Sequence, residues 1–155
     1  EMLKRPDTVQ IIAVEDGKIV AIEDQQPGRP MQLHLPGGRA DEDDTWLDAA
    51  KRELKEETGK SYKSWRHLTA DQPAAKIEWF TPIFLATDLE SESKQQTDSD
   101  GEKIKVVLMT FEEVRSLALS GQYPMMSYLA PFFAKVKSLE ELIEFPEFKG
   151  KEIDI

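Results

Sequence analysis

The sequence predicts a domain of the α/β or α+β class, because segments with strand-like and helix-like patterns alternate along its 155 residues. Two features support this class. An apolar run broken by Asp16-Gly17 is typical of a β-hairpin, and two segments with helical spacing carry capping residues at their ends. With 39% hydrophobic residues, the chain can bury one core and is too short for two full domains. We therefore assign residues 1–155 to a single domain.

The N-terminal part is predicted to be a hairpin and a short strand. Residues 9–14 and 19–22 form two apolar runs on either side of a Glu15-Asp16-Gly17-Lys18 turn. Two prolines and a glycine make residues 23–31 a predicted loop, and residues 32–35 a short strand. We interpret the following Pro36-Gly37-Gly38 as a tight turn with closely approaching backbone.

A central helix is predicted from residue 44 or 45 to residue 58. Asp44 or Thr45 can cap its N-terminus, and Gly59 can adopt the left-handed conformation that ends helices. A narrow apolar stripe with i, i+3, i+7 spacing predicts packing on a sheet. The stripe consists of Leu47, Ala50 and Leu54.

Residues 76–89 are predicted to form one strand or two, with Pro82 requiring a sheet edge or a bulge. Residues 90–101 are mostly polar and acidic, which predicts a mobile loop or an exposed arm. A strand at 104–109 is followed by a helix that the capping box Thr110-x-x-Glu113 opens and Gly121 closes. Residues 128–137 and 138–145 are further predicted helices.

Composition excludes several classes of function. The formal charge of −10 and the lack of a basic stripe argue against long nucleic acid as a partner. The absence of cysteine excludes disulfides, thiolate catalysis and Cys-ligated zinc, and is compatible with the cytoplasm, where we expect the protein. No apolar run approaches the ~20 residues that span a bilayer, and no leader-like segment opens the chain, so we expect a soluble protein without a membrane partner.

Three carboxylates of the central helix are the strongest candidates for chemistry. Glu53, Glu56 and Glu57 are spaced i, i+3 and i+4, which places them on one helix face. Like charges at this spacing cost about 0.2–0.5 kcal/mol per pair on an isolated helix. A Mg²⁺ ion would turn this repulsion into ligation, and a backbone carbonyl of Gly37-Gly38 could reach the same ion. The alternative is a solvated face of exposed ion pairs with neighbouring basic residues.

The spacing of these residues resembles the Nudix box, G-x5-E-x7-R-E-U-x-E-E-x-G-U, where U is a bulky aliphatic residue. Residues 38–60 match the box in register at seven of nine defined positions: Gly38, Arg52, Glu53, Leu54, Glu56, Glu57 and Gly59. Two positions depart from it. Asp44 replaces a glutamate, which leaves the number of metal ions open, and Lys60 replaces an aliphatic residue, which we expect to affect packing after the helix.

The resemblance implies a Nudix α/β/α sandwich, with a mixed sheet between helices, and a Mg²⁺-dependent hydrolase in which Mn²⁺ can substitute. It implies that Glu56 and Glu57 are the main metal ligands, with Gly38 contributing backbone. Glu53 would be a further ligand or the base that activates water, and Arg52 would fix a glutamate.

Many family members take another catalytic carboxylate from a loop across the site. The candidates here are Asp98, Asp100 and Glu102, of which Glu102 is favoured by its Gly101-Glu102-Lys103-Ile104 context. An ordinary surface carboxylate on a flexible loop is the alternative for each.

The resemblance implies a small-molecule substrate, a nucleoside diphosphate linked to another moiety, with ADP-ribose-like and nucleotide-sugar compounds first. Only seven residues precede the predicted strand at Thr8, whereas the ADP-ribose branch commonly carries an N-terminal extension that builds its dimer. This departure weakens the ADP-ribose choice, and a monomeric or differently assembled nucleoside triphosphate pyrophosphohydrolase is the second candidate enzyme. A homodimer stays a candidate state. A Nudix-fold module that senses a nucleotide without chemistry is the third candidate, although such modules usually lose box carboxylates that this chain keeps.

Overall fold

The computed structural model describes residues 3–71, 77–93 and 103–149. A mixed β-sheet lies between helices on its two faces. The strands are β1 (Leu3–Lys4), β2 (Thr8–Glu15), β3 (Lys18–Gln25), β4 (Gln32–His34), β5 (Gly37–Arg39), β6 (Lys60–Asp71), β7 (Ile77–Glu78), β8 (Thr81–Glu92) and β9 (Lys103–Met109). The helices are α1 (Trp46–Thr58), α2 (Phe111–Ser120), α3 (Pro124–Ser127), α4 (Ala130–Lys135) and α5 (Leu139–Glu144).

The main sheet has the strand order β4-β3-β2-β8-β6, with β5 also paired to β2 and β9 also paired to β3. Strands β2 and β8 are parallel and the other pairs are antiparallel, which confirms the predicted mixed sheet. Strands β2 and β3 pair directly only beside their turn. Further along, β5 pairs with β2 while β4 pairs with β3, so the two strands take different neighbours there.

The hairpin turn has the predicted chemistry. Asp16 has a φ of 52° and Gly17 a φ of 74°, so both central residues are left-handed, as the tight turns of hairpins require. Beyond the turn, side chains alternate between the faces of β2. Ile11 packs in the cluster that contains α1, and Ile12 packs in the cluster on the other face.

Two buried clusters, one on each face of the sheet, form the core. On one face, Ala49, Ala50 and Leu54 of α1 pack against β2 and β8. On the other face, side chains from α2 to α5 pack against β2, β3 and β8, among them Phe111 and Phe133. This arrangement is the predicted α/β/α sandwich. Among the described residues, no helix is long and apolar enough to cross a bilayer.

Helix α1 has the predicted boundaries. The Thr45 hydroxyl accepts a hydrogen bond from the Asp48 amide at 3.0 Å, and Gly59 is left-handed with a φ of 74°. Leu54 and Ala50 of the predicted stripe are buried, whereas Leu47 is only partly buried. Helix α2 likewise begins at the predicted capping box, in which Thr110 and Glu113 exchange two hydrogen bonds.

Several sequence-based predictions need correction. Residues 37–39 form strand β5 rather than a tight turn, because Gly37 and Gly38 pair with Gln10 and Val9 of β2. Strand β3 continues to Gln25, past the predicted end at residue 22. The predicted hairpin strand begins at Thr8, as expected, but a two-residue strand, Leu3–Lys4, precedes it and was not predicted.

The C-terminal half also departs from prediction. Strand β6 was missed altogether, although it pairs along ten positions with β8. Pro82 lies second in β8, where it pairs with Ala70 of β6 but precedes the first residue that pairs with β2, Ile83, so it sits at the end of the central pairing. The helix predicted at 128–137 is the shorter α4, and the short helix α3 before it was not predicted. Of the predicted loop 90–101, residues 90–92 belong to β8 and residues 94–101 lie outside the described residues.

Lys60 is held at the end of α1 by ion pairs rather than by aliphatic packing. It is 4% exposed, and its Nζ lies 2.7 Å from Glu15 and 2.8 Å from Glu92. Burial by itself would lower the pKa of Lys60, but the bonds to the two carboxylates outweigh burial and raise it above its usual value. The departure from the Nudix pattern therefore joins the start of β6, directly after α1, to β2 and β8 by charge.

We predict that Lys60→Met lowers the free energy of unfolding by about 2 kcal/mol, because hydrogen bonds to charged groups contribute about 1.5–3 kcal/mol. The pKa of Lys60 is raised by folding, so this stabilisation is complete below about pH 10.4 and is lost as pH rises through the folded value. Urea unfolding at pH 7 and above pH 10 measures both effects. Adding Glu15→Gln and Glu92→Gln should recover much of the loss. Equal stability of Lys60→Met and the unmodified protein would contradict the assignment.

Candidate functional site

Helix α1 lies against strand β5 so that Glu57 reaches the backbone of the glycine pair. The Glu57 Oε1 accepts a hydrogen bond from the Gly37 amide at 2.8 Å. Burial raises the pKa of Glu57 to about 8, and the negative charges of Glu53, Asp24 and Glu56 add to this, while the bond from Gly37 opposes it. A divalent cation beside this carboxyl would favour its ionised form again.

Glu53 lies one turn earlier, against Gly38. A Cβ on Gly38 would come closer than 3.0 Å to both carboxylate oxygens of Glu53, so glycine is needed for the Glu53 carboxylate to keep this position. The Glu53 side chain is 18% exposed. Burial raises its pKa, followed by the charge of Glu56, and the nearby Arg52 offsets part of this. The glycine of the motif is therefore explained by contact with a carboxylate, not by a turn.

Glu56 is the exposed member of the three. Its charge acts on both Glu53 and Glu57, which places all three carboxylates on one side of α1, as the spacing predicts. Glu56 is thus free to approach a ligand from the solvent side. The other two carboxylates are held by their contacts with β5.

Arg52 connects the helix to the loop that follows β5. Its guanidinium is hydrogen-bonded to the Asp44 carboxylate and donates to the Arg39 carbonyl at 3.0 Å. The hydrogen bond from Arg52 is the main reason that the pKa of Asp44 is lowered. The Glu53 Oε1 is 4.0 Å from Arg52. Asp44 is therefore the bonded partner of Arg52, while Glu53 interacts with it at longer range.

The donor set suits a hard divalent cation, because it consists of carboxylate and backbone oxygens. Within residues 3–71, 77–93 and 103–149, no three acidic or histidine side chains already stand together as a metal-binding group. Glu53 and Glu57 are held beside Gly38 and Gly37, and the exposed Glu56 can rotate toward them. The roles of Gly38, Glu53, Glu56 and Glu57 as ligands remain predictions.

The predicted loop carboxylate cannot be placed. Glu102 and the alternatives Asp98 and Asp100 lie outside the described residues, so the role of Glu102 stays a prediction. The strand that follows them begins at Lys103, whose register partner is Gln25 of β3. Strand β9 therefore begins beside the C-terminal end of β3.

Asp24 at that end of β3 is a residue that the sequence reasoning missed. Its negative charge acts on Glu57, and its carboxylate lies 3.5 Å from the Nε2 of buried His34. His34 belongs to β4, which lies within the short strand predicted at residues 32–35. If the predicted strand had been extended past residue 22, side-chain alternation would have placed Asp24 on the same face as Val20 and Ile22.

A cavity of about 780 Å³ opens at the N-terminal end of α1. It is lined by β1 and by the loop that contains Asp44, with Arg39 and Trp46 among its walls. Glu53, Glu56 and Glu57 do not line it. The volume of this cavity would favour it as the reaction site. However, the carboxyl groups with raised pKa values, Glu53 and Glu57, lie outside it, and we assign the chemistry to them.

Comparisons with known proteins agree with this geometry. The family model described as the NUDIX domain matches residues 4–129. The ADP-ribose pyrophosphatase of Bacillus subtilis (strain 168) is 32% identical over 127 residues, covering 79% of this chain and 68% of that protein.

Two solved structures share the fold. One, described as an ADP compounds hydrolase, has a TM-score of 0.67 at 20% identity and covers 86% of this chain and 72% of its own. A NUDIX hydrolase from Nitrosomonas europaea has a TM-score of 0.64 at 19% identity, covering 86% and 92%. At these identities, the two structures support the fold alone.

The glycine contacts predict a small loss of stability for one substitution and a large loss for its neighbour. Gly38→Ala displaces the end of a flexible side chain, Glu53, and should cost less than about 1 kcal/mol of stability. Gly37→Ala places a Cβ against the Val9 carbonyl in the sheet backbone and should cost about 2 kcal/mol or more. Urea unfolding measures both.

A double-mutant cycle with Glu53→Ala isolates the Gly38 contact. The cost of Gly38→Ala should disappear in the Glu53→Ala background, whereas the cost of Gly37→Ala should persist. An unchanged cost of Gly38→Ala in that background would show that Glu53 does not lie against Gly38.

Proposed function

The chain belongs to the NUDIX family of hydrolases, which act on pyrophosphate bonds, and we propose that it is a Mg²⁺-dependent enzyme for a nucleoside diphosphate joined to a second moiety. ADP-ribose is the first candidate substrate, because the curated relative with 32% identity is an ADP-ribose pyrophosphatase. Mn²⁺ is the expected substitute cation. The observation that carries the proposal is the partly buried Glu57 carboxylate, which accepts a hydrogen bond from the Gly37 amide one helical turn from Glu53.

The charge of the protein supports a cation-dependent reaction. A net charge of −10 repels a diphosphate, and three carboxylates of one helix turn concentrate that repulsion at the site. A bound divalent cation would neutralise the diphosphate, polarise the attacked phosphorus and lower the pKa of the attacking water. The same carboxylates that oppose the bare substrate would then favour its metal complex.

Each residue of the site has a proposed role. Glu57 and Glu56 would hold the cation, and Gly38 would add a backbone oxygen. Glu53, placed between Gly38 and Arg52, would be a further ligand or would accept the proton of the attacking water. Arg52, bonded to Asp44, keeps a positive charge 4.0 Å from Glu53 and so orients that carboxylate. Glu102 is the proposed additional base.

Product analysis tests the proposed reaction. With Mg²⁺ and ADP-ribose, we expect two monophosphates, AMP and ribose 5-phosphate, detected by ion-exchange chromatography. Nucleoside triphosphates tested in parallel would give a monophosphate and pyrophosphate if the chain were a triphosphate pyrophosphohydrolase. Nucleotide binding without product, at equal affinity with and without Mg²⁺, would identify a sensor and refute the proposal.

We predict that Glu57→Gln lowers kcat by about 100-fold, equivalent to about 2.7 kcal/mol of the barrier. The glutamine oxygen can still accept the Gly37 amide, so the variant removes charge while conserving the fold contact. Asp48→Asn is the matched control, because Asp48 is an exposed carboxylate of the same helix. Steady-state rates at saturating Mg²⁺ provide the measurement. Turnover of Glu57→Gln at the unmodified rate would exclude metal ligation by Glu57.

A further inference from the structure

The cavity at the N-terminal end of α1 has an aromatic wall. Trp46 and Phe80 line the cavity, and both are only partly buried, so part of each side chain faces its interior. Their ring centroids lie 6.0 Å apart, with the ring planes tilted by 43°. Trp46 also makes an edge-on contact with His67 of β6, at 5.6 Å between ring centroids. Aromatic faces of this kind can stack on a planar ring of a ligand.

Asp7 fixes both aromatic residues of the wall. The indole Nε1 of Trp46 donates to the Asp7 Oδ2 at 2.9 Å, and the Phe80 amide donates to the Asp7 Oδ1 at 2.9 Å. Both oxygens of this carboxylate are therefore engaged by the wall. Because these bonds are made within the protein alone, the wall is ordered before a ligand binds, which lowers the entropic cost of binding.

The charges of the cavity lining nearly cancel. Three basic and four acidic side chains line the cavity, and one of the acidic ones, Asp44, is bonded to the guanidinium of Arg52. In a protein with a net charge of −10, such a surface suits an uncharged ligand better than a free anion. The exposed carboxylates of Asp41 and Glu42 can accept hydrogen bonds from sugar hydroxyls. A planar ring joined to a hydroxyl-bearing sugar is the chemistry of a nucleoside.

Arg52 connects the cavity to the proposed site of hydrolysis. Its guanidinium is bonded to Asp44 and donates to the Arg39 carbonyl at 3.0 Å, and both of these residues line the cavity. The same guanidinium lies 4.0 Å from the Oε1 of Glu53. Along α1, the seven-residue step from Trp46 to Glu53 corresponds to about 10 Å. A ligand longer than this spacing can have one end in the cavity and the other beside the carboxylates.

We propose that the cavity binds the nucleoside end of the substrate, with the base against Trp46 and Phe80 and the diphosphate extending past Arg52 to Glu53. This inference rests on the proposed function and deepens it. The bond is cleaved at the carboxylates, whereas the cavity supplies affinity for the nucleoside. Recognition of the nucleoside is therefore separable from recognition of the diphosphate, and it needs no divalent cation.

Binding of adenosine without a cation tests the inference. Adenosine carries no phosphate, so its binding does not depend on the proposed metal ligands. The full chain is labelled with ¹⁵N and titrated with adenosine, and the indole N–H signals of its three tryptophans are followed by NMR. We expect the Trp46 signal to shift. The Trp65 signal should stay unchanged, because Trp65 does not line the cavity and its indole donates to the Tyr62 carbonyl. Trp46→Phe and Trp65→Phe identify the two signals.

A substitution in the wall tests the stacking. Phe80→Leu removes an aromatic face and should weaken adenosine binding about fivefold. Phe80→Tyr conserves the ring and should bind adenosine as the unmodified chain does. Phe145→Leu is the matched control and should also leave binding unchanged, because Phe145 is a partly buried phenylalanine packed against the cluster on the other face of the sheet.

A second variant covers the sugar side of the cavity and serves if thermal melting shows that Phe80→Leu is unfolded. Asp41→Ala combined with Glu42→Ala removes two exposed acceptors and leaves the aromatic wall in place. We expect adenosine binding to weaken about fivefold. Unchanged adenosine binding in this double variant and in folded Phe80→Leu would overturn the inference.

Kinetics distinguishes nucleoside binding from general damage. Phe80→Leu should raise the KM for ADP-ribose about fivefold with little change in kcat, because the cavity contacts a part of the substrate that the reaction does not alter. A loss confined to kcat would overturn the inference. Ribose 5-phosphate, the other product, is titrated in parallel. A shift of the Trp46 signal with ribose 5-phosphate and none with adenosine would assign the cavity to the other end of the substrate and would also overturn it.

The outcomes separate this inference from the proposed function. If ADP-ribose is hydrolysed with Mg²⁺ but adenosine leaves the Trp46 signal unchanged, the cavity assignment is refuted while the proposed hydrolase stands. If adenosine shifts the Trp46 signal but no nucleotide derivative is hydrolysed, the proposed function fails while the nucleoside site stands. Equal weakening of adenosine binding by Phe80→Leu and Phe145→Leu would indicate a general loss of stability and would refute a specific role of the wall.

Discussion

The site depends on the contact between helix α1 and the glycine pair of β5. Gly37 gives its amide to Glu57, and Gly38 leaves the space that the Glu53 carboxylate occupies. A side chain at position 38 would displace the Glu53 carboxylate, and one at position 37 would press on the Val9 carbonyl of β2 and disturb the strand that carries the Gly37 amide. The two carboxylates are thus placed by the backbone of a neighbouring strand, which is more rigid than a side chain.

Other contacts keep the helix in this position along its length. Thr45 caps its start, Arg52 joins its middle to Asp44, and Lys60 joins its end to Glu15 and Glu92. These three residues are not among the glutamates of the site. Together, their contacts connect α1 and the residues at its ends to the preceding loop, to β2 and to β8. The glutamates can therefore repel one another without moving the helix, since the contacts that fix it are made elsewhere.

Much of this arrangement is predictable from sequence where local chemistry decides it. The Asp16-Gly17 turn, the caps of α1 and the capping box of α2 are short-range features, and the structure has them at the predicted residues. Strand β6 was missed because its residues 60–71 acquire strand structure from ten pairings with β8, which no local pattern reveals. Asp24 was missed for a related reason, since the end of β3 is stabilised by β4 and β9.

The electrostatics of the site argue that it was not shaped by stability. Glu57 is a largely buried carboxyl whose pKa is raised to about 8, and three other carboxylates add to that shift. In a protein selected only to fold, neutral side chains at these positions would avoid both the desolvation and the repulsion. A partner of opposite charge would favour the ionised form, and a divalent cation shared by several carboxylates, as in the proposed function, would offset all of these terms at once. The free-energy cost of desolvation and repulsion at these carboxylates is therefore an argument for the proposed cation-dependent function.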